Sequence, residues 1–121
     1  MLGTDPNAKF KVTLKNYMHL DEKERPYFFL KYFTAREMRR QLDETRDRLI
    51  KLAQTSELPE KGVRFEYLKI GLVGWENVKD ADGKPVPFDI NEVDNYLTVA
   101  EIQELRDRWD EQGYGLEERK N

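Results

Sequence analysis

Apolar positions change their period several times along the chain, and each change marks an element. Lys9 to Lys15 alternates strictly, with Phe10, Val12 and Leu14 on one side and Lys9, Lys11, Thr13 and Lys15 on the other. A period of two with β-branched and aromatic members predicts a half-buried strand. Its lysines keep the other side wet and discourage pairing along an exposed edge. After the polar connection Asn16–Pro26, the run Tyr27–Phe33 (YFFLKYF) predicts a second strand. Phe28, Leu30 and Tyr32 share one face; Tyr27, Phe29 and Phe33 share the other, with Lys31 among them. The first strand has one apolar face and the second has two. Either a helix of the same domain covers the extra face, or that face is a partner surface, because contiguous exposed apolar area usually marks one.

Thr34-Ala35-Arg36-Glu37 has the form of a capping box and opens a helix expected to run to about Gln54. Met38, Leu42, Leu49, Leu52 and Ala53 form its apolar stripe. Arg39/Asp43, Arg40/Glu44, Glu44/Arg48 and Asp47/Lys51 place opposite charges one turn apart. The interleaved acids cancel the arginine-rich patch, so the charged side reads as a solvated face rather than a DNA-binding one. Val63–Val73 is ambiguous. Val63, Phe65 and Tyr67 alternate like a strand, whereas the spacing of Leu68, Ile70, Leu72 and Val73 favours a short buried helix ending at Gly74. Gly71 inside that run permits close backbone approach to a neighbour, and Trp75 just past the stop reads first as a core anchor. Asp80-Ala81-Asp82-Gly83 predicts a turn with Gly83 at positive φ, and Lys84–Phe88 an extended segment whose prolines cannot donate to a ladder. Asp89 caps a short helix to about Leu97. Thr98-Val99-Ala100-Glu101 is a second capping box, with Val99, Ile102, Leu105 and Trp109 as the stripe of the helix that it starts.

These elements predict an α+β fold, mostly helical, with an N-terminal antiparallel β-hairpin packed on three to four helices. A single globular domain is expected over residues 9–112, between a flexible arm (1–8) and a flexible tail (113–121). The 121 residues suffice for one modest core. Charge changes the picture little: 21 Lys+Arg against 24 Asp+Glu leave a net of −3, which argues against bulk affinity for nucleic acid. No apolar run is long enough to predict a membrane span, and the N-terminus lacks the apolar segment of a signal peptide. Cysteine is absent and His19 is the only histidine. No catalytic residue, cofactor site or metal site is therefore expected. Asp80, Asp82 and Gly83 fit positions three, five and six of a calcium loop, but Val78 then stands where the first ligand belongs and Asp89 where a bidentate Glu belongs, so the match fails.

One combination of motifs goes further. Gly74-Trp75-x-Asn77-Val78, then Asp80-x-Asp82-Gly83-x-Pro85-x-Pro87-Phe88, then Leu97-Thr98-x-x-Glu101 resembles the tail assembly chaperones and related small tail-gene proteins of tailed bacteriophages. The similarity covers about Pro26 to Trp109. It implies a non-catalytic protein-binding module in the host cytoplasm, able to form homo-oligomers, that binds tape measure or tail-tube proteins while the tail assembles. No nucleic acid and no membrane is implied as partner. Tyr27, Phe29, Lys31 and Phe33, with Gly71 and Trp75, are the expected partner-binding residues, because such a chaperone needs apolar area within a charged frame. The alternative from another class is a phage-encoded inhibitor or adaptor that docks on a host protein.

Overall fold

A computed structural model describes residues 8–57 and 62–113 of the chain. The expected arm lies outside these residues except for Ala8, and the tail except for Gly113. The order is β1 (Lys9–Val12), a 3₁₀ turn at Lys15–Tyr17, β2 (Tyr27–Lys31), α1 (Ala35–Gln54), α2 (Val63–Gly71), β3 (Leu72–Glu76), a 3₁₀ turn at Ile90–Asn95 and α3 (Val99–Gly113). The fold is α+β, and its N-terminal strands form the antiparallel hairpin. The sheet is larger than the hairpin: β3 pairs antiparallel with β2, giving the order β1-β2-β3.

β3 corrects the sequence reading of Val63–Gly74. The helix stops at Gly71 rather than Gly74, and Leu72-Val73-Gly74-Trp75-Glu76 is a strand. Simple alternation fails there because the register shifts between Phe29 and Leu30. Phe29 faces Gly74 and Leu30 faces Leu72, so Val73 is the extra residue of a bulge. The first two strands also end early, at Val12 and Lys31.

The inner face of the sheet carries Val12, Phe28, Leu30, Leu72 and Trp75, all buried, against Met38, Phe65, Leu68, Leu105 and Trp109 from the helices. Trp109 pins three elements together. Its ring is fully buried, its Nε1–H donates to the Lys31 carbonyl at 3.0 Å, and it meets Phe33 edge-on at 6.2 Å between centroids. At Gly71 the backbone of α2 passes so close to this ring that a Cβ there would lie 2.6 Å from Nε1. Trp75 anchors the other side. It donates to the Val86 carbonyl at 2.8 Å and packs edge-on against Phe28, Phe88 and Tyr96.

α1 begins as expected, with the Thr34 hydroxyl accepting from the Glu37 amide at 3.2 Å. The reciprocal half of the box does not form, because the Glu37 carboxylate turns to Arg40 and Gln41. The Arg40 guanidinium holds that carboxyl well below the ordinary range, at about 2. Of the predicted pairs, Arg40–Glu44 forms. Arg48 instead reaches across to Glu66 of α2 at 3.1 Å and joins the two helices. Thr45 replaces Ala53 on the buried stripe. The turn at Asp80 forms by Asp80 Oδ1 accepting from the Asp82 and Lys84 amides, each at 2.9 Å, with Gly83 at φ 79°. The second capping box is complete: Thr98 N–H donates to Glu101 Oε1 at 2.9 Å and Glu101 N–H to the Thr98 hydroxyl at 3.1 Å. Val99 leaves the predicted α3 stripe and is 74% exposed.

Candidate functional site

The helices cover one face of the sheet, and the other face is the candidate site. Strand alternation places Lys9 and Lys11 of β1, Tyr27, Phe29 and Lys31 of β2, and Gly74 and Glu76 of β3 on this outer side. The register sets Lys9 opposite Lys31, Lys11 opposite Phe29, Phe29 opposite Gly74, and Tyr27 opposite Glu76. Tyr27 and Phe29 are half-buried and belong to no part of the core cluster.

What half-covers the rings is lysine. Lys11 Nζ stands 4.1 Å from the Tyr27 ring centroid and Lys9 Nζ 4.9 Å from that of Phe29. Lys31 Nζ stands 5.1 Å from the Phe33 centroid. A cation within about 6 Å of a ring face is attracted by the ring quadrupole, worth roughly 0.5–1 kcal/mol at an exposed site. Gly74 faces the Phe29 ring, and a Cβ there would make an ordinary contact with Phe29 Cδ2 at 3.6 Å. The Tyr27 hydroxyl donates to the Glu22 carbonyl at 2.8 Å, which fixes the far end of the layer. The result is an apolar bed with ammonium groups above it.

The expected partner-binding residues divide. Tyr27, Phe29 and Lys31 share this outer face. Phe33 lies beyond the end of β2 and packs against Trp109 at the margin of the core. Gly71 and Trp75 do not join the face at all. Both are buried, Gly71 because the Trp109 ring occupies its Cβ space and Trp75 because inner-face aromatic rings surround it. Sequence reasoning missed Lys9, Lys11, Gly74 and Glu76 as members. The alternation of the lysines was readable, but their register against the aromatic strand was not.

A cleft of about 420 Å³ opens on the side of the sheet that carries Phe28. Pro26, Phe28, Val78 and Leu97 floor it, and Tyr17 and Tyr96 wall it. Its loop is tied down by side chains. Asn77, at φ 61°, donates to the Lys23 and Arg25 carbonyls at 3.1 and 3.0 Å. Arg25 donates to the Leu20 and Met18 carbonyls at 2.7 and 2.9 Å. Burial, and then a hydrogen bond to Glu101, push the Tyr17 hydroxyl up to about 12. Among the described residues no group of three or more His, Cys, Asp or Glu converges as a metal site would. No helix among them is long and apolar enough to cross a membrane.

Comparison with protein-family models, with curated proteins and with solved structures returns no match.

Proposed function

We propose that the protein is a non-catalytic protein-binding module that docks a partner on the outer face of its sheet. The observation that carries this reading is the half-buried pair Tyr27 and Phe29 under Lys9 and Lys11 on a sheet face outside the core. Such a surface has aromatic area to desolvate, of the kind enriched in interfaces, and charges that can orient an approaching chain. It also has little reason to exist for stability alone, since the inner face already fills the core.

The resemblance to tail assembly chaperones supplies the candidate partner, a tape measure or tail-tube protein, and the host cytoplasm as the place of binding. The outer face suits that role because it presents apolar area without leaving it bare. The test is Phe29→Asp, assayed by co-purification with a tape measure protein co-expressed as the candidate partner. The side chain lies outside the core, so the variant is expected to keep its far-UV circular dichroism and lose capture. Unchanged capture by a folded variant removes this face from the function.

A further inference from the structure

We infer that the outer face takes an extended acidic stretch of the partner polypeptide, with carboxylates seated on Lys9, Lys11 and Lys31. This rests on the protein-binding reading above and names the chemistry of the partner.

The first observation is a cluster of like charges that stands over aromatic rings instead of pairing with acids. The register sets Lys9 directly opposite Lys31, and Lys11 follows two residues along on the same face. Like charges directly opposite each other on neighbouring strands are destabilising. The chain does not neutralise them. Among the described residues none of these three lysines forms an ion pair. Two acids border the group. Glu76 lies opposite Tyr27, at the other end of the strand from Lys31. Glu37 is close enough for Lys31 to act on its carboxyl, but Arg40 and Gln41 hold that carboxylate. An incoming carboxylate would relieve the repulsion that the fold leaves standing.

The second observation selects among anions. Stacking of bases needs open ring faces. Here Lys11 and Lys9 already sit over Tyr27 and Phe29, so a base would have to displace them. A carboxylate meets the ammonium where it already stands. Spacing agrees as well: Lys9 and Lys11 are two strand positions apart, about 6.6–6.8 Å, the distance between alternate side chains of any extended segment. An acidic residue at every second position would match the lysines, and the residues between them would point away from the sheet.

Fluorescence anisotropy of the full chain with labelled peptides tests this. One peptide alternates glutamate with leucine, a second alternates lysine with leucine, and oligothymidylate of equal length is the third probe. The glutamate peptide is expected to bind, and to weaken by about tenfold or more when Lys9→Glu, Lys11→Glu and Lys31→Glu are combined. It is also expected to weaken as salt rises from about 0.05 to 0.5 M, where screening shortens to a few ångström. Lys11→Gln alone, with a smaller loss, serves as the readout if the triple variant does not fold. Equal binding of the two peptides, indifference to the lysine changes, or a preference for oligothymidylate overturns the inference. If Phe29→Asp abolishes partner capture while the lysine variants leave it intact, the docking face stands and its acidic ligand falls. If both leave capture intact, the docking face falls as well.

Discussion

Gly71 is where one added methyl group meets the most resistance. In a helix interior Ala is favoured over Gly by about 1 kcal/mol. Gly71 is the last residue of α2, so Gly71→Ala would gain at most that amount if space allowed. It does not, because the Cβ would fall against three atoms of the Trp109 ring. That ring is fully buried and held by its bond to the Lys31 carbonyl, so it cannot step aside. Overpacking of this kind costs about 1–3 kcal/mol, which outweighs or cancels the helical gain. Gly71→Ala is therefore expected to lower the denaturant midpoint. Combining it with Trp109→Phe is expected to give less than the sum of the two losses, because the smaller ring vacates the contested space. Additive losses would mean that ring and methyl do not meet.

At the scale of elements, α3 shows how much a cap decides. Its start rests on the reciprocal pair of Thr98 and Glu101, both amides of which are satisfied by the other's side chain. Thr98→Ala is expected to cost about 1 kcal/mol, as N-cap losses do, and to raise amide exchange first in the opening turn. Uniform exchange along α3 would contradict a local cap. This box was legible in the sequence because it involves four consecutive positions and nothing else. The Thr34 box was half legible: its hydroxyl does cap, but Arg40 competes for Glu37, and spacing cannot rank competitors for one carboxylate. β3 was not legible, because the bulge at Val73 breaks the alternation that identifies a strand and Gly74 looks like a helix stop. The candidate face followed the same rule. Tyr27, Phe29 and Lys31 could be read from one strand's own alternation. Lys9, Lys11 and Gly74 needed the pairing of three strands. Gly71 and Trp75 were assigned to that face because chain order does not tell which side of a sheet a residue meets.

At the scale of the molecule, the connection after β1 is bound to α3 at several points. The Lys15 amide donates to Glu104 at 2.9 Å, Arg108 donates to the Thr13 carbonyl at 3.3 Å, and the Tyr17 hydroxyl bonds to Glu101. Burial of that hydroxyl first, and then its bond to Glu101, make stability depend on alkaline pH. Tyr17 in the folded state holds its proton to about 12, against an ordinary value of 10.0. The folded state therefore binds more protons than the unfolded state between those values, and stability falls as pH rises through that window. The contribution is fully present below 10.0 and lost above about 12. Ultraviolet titration at 295 nm is expected to show one late tyrosine that disappears in Tyr17→Phe. A Tyr17→Phe variant with the same alkaline loss of stability as the parent would assign that loss to other groups.

The central strand meets its two neighbours at very different sequence distances. β1 pairs with β2 across residues 13–26, but Phe28 must wait for Trp75, and the connection after β1 waits for Glu104 and Arg108, 89 and 95 positions from their partners. Non-local closures of this kind slow folding, because the entropy of a long loop is spent before its contacts form. While the polypeptide is still emerging from the ribosome, Phe28 and Leu30 can rest only on Met38, Phe65 and Leu68, and their inner layer is complete only when α3 brings Leu105 and Trp109.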